Sequence, residues 1–382
     1  MTKTASVVII GGGISGCAIA YNLAKKGVKD VVVVERSYLT SGATGRCGAG
    51  IRTQWGTERN CKLAKFSVDF FENANEILGY KRDIEFKQGG YLIVAATEKE
   101  VEQFKKNVEL QNSLGIPSKY LSPQEAKEIV PHLDETKILG ATFCELDGHL
   151  NPFHTTEAFA QAAERLGVEI MTFTEVVGID VEGDKIKGVH TTKGYISTPI
   201  VVNAAGGYCR QIGDMVNVDI PTYSERHQIL VTEPVEPMQE PMVMGFSLNI
   251  YTQQVPHGSF LIGRGDPTEP KDLRITSSWQ FMEKMAKTAC DLLPALGKLA
   301  VVRQWAGLYN MTADAQPIYG PVKEVEGFYL AVGFSGHGFM LGPATGQIMA
   351  EIILGEPTTI DVSDLDKDRF ARGELVLEPS VV

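Results

Sequence analysis

The sequence predicts an α/β chain with α+β character: a Rossmann-like nucleotide-binding domain assembled from separated pieces, with a mixed-sheet domain inserted between them. Three observations predict it. A β-branched run at 6–10 leads through a glycine turn into a helix at 14–26, and a second β-branched run follows at 31–34, giving a βαβ unit. The strand–helix alternation returns near the far end, with a strand at 327–332 and a helix at 342–354. Between them lie mixed, less regular elements, as expected of an insertion.

Each element has a local cause. Gly27 closes the first helix. Residues 98–114 form a polar amphipathic helix ended by Gly115. Ser122-Pro123-Gln124-Glu125 is a capping box that starts another helix, which Pro131 stops. A helix at 155–166 has Gly167 at its C-cap. Strands follow at 169–173, 175–181 and 186–192, with a turn at Gly183-Asp184. Residues 201–206 are a buried strand running into small residues, and the Pro- and charge-rich stretch 233–241 is a surface loop.

With 382 residues the chain can bury a substantial core, and its composition, 43% hydrophobic and 22% charged, is that of a globular enzyme. The 47 acidic residues outnumber the 36 basic ones, giving a net charge of -11. That surface repels phosphate backbones and anionic lipid, so nucleic acid and membrane are excluded as partners. Residues 4–24 lack charge and superficially resemble a signal peptide, but Gly11, Gly12, Gly13, Ser15, Gly16 and Asn22 interrupt any apolar core. A cytoplasmic location is expected. The six cysteines are scattered without a Cys-x-x-Cys pair, arguing against a zinc site and a disulfide framework.

The chemistry begins at Gly11-x-Gly13-x-x-Gly16, between a strand and a helix. Gly11 permits the tight turn, Gly13 lets the backbone approach a pyrophosphate, and Gly16 allows close helix–strand packing. Glu35 ends the second strand where an acid accepts ribose hydroxyls and disfavours a 2′-phosphate. This motif alone leaves NAD and FAD open.

Two further segments bear on the choice. Residues 41–52, Ser-Gly-Ala-Thr-Gly-Arg-Cys-Gly-Ala-Gly-Ile-Arg, form a small-residue loop with two arginines. Gly333-Phe334-Ser335-Gly336-His337-Gly338-Phe339 precedes a helix whose N-terminus can face negative charge. With Val201 to Gly206, Trp305-Ala306-Gly307 and Thr312-x-Asp314-x-x-Pro317, these segments make the chain resemble, over essentially its whole length, the FAD-dependent amine oxidoreductases that include glycine oxidase, D-amino-acid oxidase and sarcosine oxidase. The string from Arg46 to Gln54, the run ending at Met340 and the Arg369-Phe370-x-Arg372-Gly373-Glu374-Leu375 tail are similar to the β subunits of dye-linked L-proline dehydrogenase and heteromeric sarcosine oxidase.

The resemblance implies an FAD-binding Rossmann-like domain made of 1–82, 147–221 and 308–382, with a mixed-sheet substrate domain at 83–146 and 222–307. It implies non-covalent FAD held by Gly11, Gly13, Ile14, Ser15, Gly16, Glu35, Arg36, Ser41, Thr44, Arg46, Cys47, Gly48, Val176, Ala204, Gly206, Gly333, Gly336, His337, Gly338, Phe339 and Met340. It further implies a larger α-type partner subunit and a second flavin, FMN, at the inter-subunit surface. His149 and His154 lie in the region where a β-subunit histidine links FMN in heteromeric sarcosine oxidase.

The departures from the single-chain oxidases are specific. Tyr309 stands where glycine and D-amino-acid oxidases place a carboxylate-binding arginine. Met340 stands where monomeric sarcosine oxidase has a lysine, and Leu308 lies close to the position of its FAD-linking cysteine. Leu261 corresponds to its oxygen-activating lysine. Arg52 is then the substrate-carboxylate candidate, because a guanidinium fork suits a carboxylate; the alternative is a loop-anchoring salt bridge. Tyr251 and His227 line the pocket or are satisfied core residues, and His337 shapes the flavin loop. The expected reaction is oxidation of a secondary amino acid to an imine by hydride transfer to FAD, with L-proline first and sarcosine or hydroxyproline next. The rivals are a stand-alone glycine or D-amino-acid oxidase and a flavin-binding assembly subunit without turnover.

Overall fold

The opening β-branched run forms the strand Val7–Ile10, buried along its whole length, and the helix Ile14–Lys25 leads from it to Val31–Val34. These elements belong to a computed structural model that describes residues 3–266 and 268–380. They lie inside a six-stranded sheet ordered Ile318–Pro321, Phe328–Val332, Val201–Asn203, Val7–Ile10, Val31–Val34, Glu169–Met171. All neighbours are parallel except the first pair. A parallel sheet is covered on both faces, which is why its strands read as unbroken Val and Ile runs. Val7 and Ile9 pack with the helices Ile14–Lys25 and Gly342–Leu354. Val8 and Ile10 face the other way, into a core shared with a four-stranded sheet of Lys3–Thr4, Gly194–Ser197, Lys185–Thr191 and Val176–Glu182.

The second large sheet has eight strands, ordered Val301–Met311, Tyr223–Thr232, Phe260–Arg264, Ile250–Gln254, Met242–Gly245, Tyr91–Ala95, Gly140–Cys144, Lys119–Leu121. It is antiparallel apart from the Met242–Gly245 and Tyr91–Ala95 pair. Alternation gives it two apolar faces. Leu92, Val94, Val243 and Ile262 pack against the helix Trp279–Leu292 through Phe281 and Met285. Tyr91, Met242, Met244 and Tyr251 point the opposite way, toward the glycine loops.

The capping boxes at Thr97 and Ser122 form, each with its Glu three residues on. Two expectations need correction. The helix expected at 155–166 is Pro152–Arg165, because Asn151 accepts from the Phe153 and His154 amides and Pro152 fits the first turn. His154 therefore lies inside the helix, not before it. The strand expected at 201–206 ends at Asn203, where the backbone turns into the short 3₁₀ segment Gly206–Tyr208 and Gly206 takes φ +54°. No helix among the described residues is long and apolar enough to cross a membrane. No group of three or more His, Cys, Asp or Glu among them is placed to hold a metal ion. The six cysteines are all unpaired thiols.

Candidate active site

The site starts from backbone. Gly11, at φ +118°, sits where a Cβ would press into the Ala204 carbonyl, and a Cβ on Gly16 would overlap the carbonyl oxygen of Gly11. The turn is therefore closed by main-chain contact that only glycine allows. Gly13 occupies the N-cap of the helix Ile14–Lys25 and offers no side-chain acceptor, so the helix presents amides and the positive end of its dipole to the space in front. Ile14 N–H donates to Thr44 Oγ1 (3.2 Å), tying the second glycine loop to the first. The Glu35 carboxylate accepts from Gly12 N (2.8 Å), Ser37 N (2.8 Å) and Ser41 Oγ (3.1 Å), which leaves acceptor capacity for a further hydroxyl.

A cavity of about 590 Å³ runs along this wall. Glu35, Arg36 and Val176 lie at one end, with the Arg36 guanidinium 3.6 Å from the Tyr208 ring centre. Gly11, Gly13, Ile14, Ser15, Ser41, Thr44, Arg46, Cys47, Ala204 and Gly206 line it, as do Gly336, Gly338 and Phe339. Arg46 is held by its Nε–H to Ser41 O (3.2 Å) and by its own carbonyl, which accepts from Trp305 Nε1 (2.9 Å). Gly16 and Gly333 do not line the cavity. Gly16 packs helix on turn, and Gly333 (φ +75°) donates its amide to Asn310 Oδ1 (2.7 Å).

A smaller chamber of about 80 Å³ adjoins the first and shares Cys47, His227, Tyr251, Tyr309, Gly336 and Phe339 with it. Gly48, Arg52, His337 and Met340 line this chamber instead, opposite Tyr91, Met242 and Met244 of the eight-stranded sheet. At the junction the His227 ring lies between two tyrosines, 4.1 Å from Tyr309 at an interplanar angle of 1° and 5.9 Å from Tyr251 at 10°. His227 Nε2 is buried without a hydrogen-bond partner, so the satisfied-core alternative does not describe it. Burial pulls its pKa down to about 4, so the ring is neutral near pH 7. Burial likewise raises the Tyr251 and Tyr309 phenols and pushes the Cys47 thiol up to about 12. None of these four carries charge at neutral pH.

Two arginines line the chamber: Arg264, half-buried, donates its Nε–H to Gly265 O (3.1 Å), and Arg52 is the buried one at 3% exposed. The Arg52 guanidinium lies 3.7 Å from the Trp55 ring centre, Nη1 donates to Gln54 O (2.9 Å) and Nη2 to Ser380 O (2.7 Å). The loop-anchoring salt bridge is thus corrected: Arg52 is anchored, but by carbonyl oxygens that leave its net charge for another anion. Burial lowers its pKa, while the nearby carboxylates of Glu378 and Asp147 oppose that shift. His337 bonds through Nε2 to Ala315 O (2.9 Å) and sets its ring edge against Trp55 (4.9 Å); burial takes its pKa to about 3, a neutral brace for the loop.

Neither His149 nor His154 lines either cavity. His149 is buried in the short strand Gly148–His149 paired with Gly50, and His154 Nδ1 meets the Tyr80 hydroxyl (2.9 Å). Leu261 lines neither cavity.

Sequence reasoning missed the chamber's apolar wall and its buried brace. Met242-Val243-Met244 is a short apolar run bounded by Pro241 and Gly245, the signal of a strand buried on both faces, which could have been found. Asp147 could not: it is fully buried and accepts from Thr53 N (2.6 Å), Thr53 Oγ1 (2.6 Å) and Gln54 Nε2 (2.8 Å), all in the segment after Arg52. Burial raises its pKa to about 6.

Comparison with known proteins agrees with this geometry. The family model described as FAD dependent oxidoreductase matches residues 6–352. The chain is 30% identical to the sarcosine oxidase subunit beta of Arthrobacter sp, over 98% of this chain and 93% of that one. The crystal structure of L-proline dehydrogenase from P. horikoshii superposes with a TM-score of 0.93 at 39% identity, covering 98% of this chain and all of that one. Glycine oxidase from Geobacillus kaustophilus gives 0.88 at 25% identity, over 96% and 99%. The residues present fit an adenine dinucleotide flavin: a glycine cradle closed to any Cβ, an acid beside it, and a long cavity ending at an unpartnered imidazole.

Proposed function

The chain belongs to the FAD-dependent oxidoreductase family, and from that premise we propose that it oxidises a small secondary amino acid, L-proline before sarcosine or hydroxyproline, to an imine. The observation that carries the reading is the small chamber: an apolar wall of Met242, Met244 and Tyr251 with the buried cation Arg52 and the half-buried Arg264, next to the glycine loop Gly336–Met340. That combination suits a compact apolar amine bearing one carboxylate.

Bound FAD supplies the acceptance of a hydride from the carbon beside the amine nitrogen. The chain's own residues do the rest. Gly11, Gly13, Ser15 and the helix N-terminus hold the pyrophosphate, and Glu35 the ribose. Arg52 binds the carboxylate, and the Met and Tyr side chains exclude water and orient the reacting carbon. The neutral His227, with no protein partner at Nε2, accepts or donates a hydrogen bond at the junction of the two spaces.

The same reading includes a larger partner subunit and a non-covalent FMN at the interface that carries electrons onward. Its support is the likeness to a chain named as a sarcosine oxidase subunit. Tyr309, stacked on His227 where single-chain oxidases carry an arginine, supports it against a stand-alone glycine oxidase. Anaerobic mixing with L-proline, sarcosine, glycine and D-alanine tests the reaction: L-proline is expected to bleach the flavin fastest. If no amine bleaches it, with or without a co-purified partner, the reading fails. Two flavins per αβ unit would support the relay, and one flavin would remove it.

A further inference from the structure

Arg52 is held in part by a segment 328 residues away in the sequence, just beyond the Arg369–Leu375 tail. The segment after Gly373 returns to the core, where Val376 N–H donates to Asp314 Oδ2 (3.2 Å), the carboxylate that Arg369 also grips with both sides fully buried. It then crosses the N-terminus of the helix Glu58–Glu72. There Glu378, 6% exposed, accepts four hydrogen bonds from neutral donors: Oε1 from Gly56 N (2.8 Å) and Ser380 N (2.9 Å), Oε2 from Thr57 Oγ1 (2.7 Å) and Asn60 Nδ2 (2.8 Å). Thr57, the N-cap of that helix, makes no capping bond of its own because its hydroxyl is turned to Glu378. The helix dipole favours an anion at this place.

The consequence is reached two residues later. With its amide fixed to Glu378, Ser380 points its carbonyl at Arg52 Nη2 (2.7 Å), and its hydroxyl accepts from Asn107 Nδ2 (2.8 Å) on the helix Glu98–Ser113. Gln111 of the same helix donates to Trp55 O (2.8 Å), and Trp55 is the ring on which the guanidinium lies. A guanidinium has five N–H donors; this frame takes two with carbonyls and fixes the plane, leaving the others for the chamber. A carboxylate accepting four bonds is a rigid anchor, and without it the Ser380 carbonyl loses the contact that fixes its direction toward Arg52 Nη2.

We infer that Glu378 is a positioning residue for substrate binding: it locks the C-terminal segment so that Ser380 O orients Arg52 toward the carboxylate of the amine. This rests on the assignment of Arg52 in the proposed function and adds to it the element that sets the arginine's direction.

The test uses the holoenzyme with three variants: Glu378→Ala, Glu378→Gln and Arg52→Lys. Anaerobic flavin reduction is measured with L-proline and with pyrrolidine, the same ring without a carboxylate, and acetate binding is followed by its perturbation of the flavin spectrum. Glu378→Ala should raise half-saturation for L-proline and the Kd for acetate about tenfold, the value of one orienting hydrogen bond to a charged group. The limiting rate, FAD content and pyrrolidine kinetics should stay within about twofold. Glu378→Gln, which keeps one acceptor oxygen for Gly56 and Ser380, should recover most of the loss. Arg52→Lys should weaken both carboxylates at least as much, because an ammonium neither stacks nor forks. If Arg52→Lys weakens them and Glu378→Ala does not, the positioning role is overturned and the Arg52 assignment stands. If Glu378→Ala alters pyrrolidine and L-proline alike, or releases FAD, its role is only structural. If neither variant changes carboxylate binding, or the wild type shows none, both readings fall.

Discussion

The two ends of the cavity system are built in opposite ways. At the Glu35 end much of the surface is main chain: glycine turns and a helix N-terminus from the first 50 residues, joined by the segments 174–176 and 204–208. At the Arg52 end it is side chain. Tyr91, Met242, Tyr251, His227 and Tyr309 come from five different strands, and the arginine is steadied by a segment at the opposite end of the chain. The first end recognises a constant ligand through geometry that tolerates no Cβ. In the proposed function the second would select a small molecule through size, polarity and the charge of Arg52 and Arg264, each adjustable by one substitution.

The comparison breaks most sharply at Gly16. Gly16→Val places atoms on the Gly11 carbonyl, so FAD content of the purified protein should fall essentially to zero, with any folded remainder inactive. A variant that retains stoichiometric FAD would show that this end is more plastic than its contacts imply. Next is Arg52→Ala: it removes a charge-assisted bond to the carboxylate, worth about 1.5–3 kcal/mol, so KM for L-proline should rise roughly 10- to 100-fold. FAD content should not change, and unchanged KM would remove Arg52 from the substrate site.

Acid sharpens the contrast in another way. His149, His227 and His337 are buried with pKa values lowered to about 4, 4 and 3, below the unfolded value of about 6.5. Each binds its proton more readily when unfolded, so their contribution to stability is full above pH 6.5 and is lost as pH falls toward 4. Asp147 works against them: its pKa is raised to about 6, so between pH 4 and 6 the folded state holds the extra proton. Tm should therefore fall from pH 6.5 to 4, and His227→Asn should flatten the slope by one proton. A Tm that rises with acid in this window would contradict the buried neutral imidazoles. The smallest effect belongs to Cys47, which lines both spaces but whose thiol, pushed up to about 12, stays protonated at neutral pH. Cys47→Ser should leave kcat within about twofold, and iodoacetamide should not inactivate the enzyme within minutes; rapid inactivation would reveal a thiolate.

Legibility in the sequence followed the same divide. The βαβ unit, the capping box at Ser122 and the helix Gly342–Leu354 were readable because their causes lie within a few residues. The helix start at Pro152 was displaced by three residues because Asn151 and Pro152, ordinary loop residues in isolation, act together as cap and first turn. Arg52 could be named as a candidate, yet whether it was a salt bridge or a free cation could not be read. That depended on Ser380, 328 residues away, supplying a carbonyl and not a carboxylate.

By itself the sequence determined the nucleotide end: glycines at fixed spacing dictate a backbone path, and a backbone path is a local property. Only the tertiary structure decided the other end. The neutrality of His227 comes from desolvation between two tyrosines on other strands of the same sheet, and the direction of Arg52 comes from a tail folded across a distant helix. Burial and orientation are properties of assembled neighbours, and no short stretch of chain contains them.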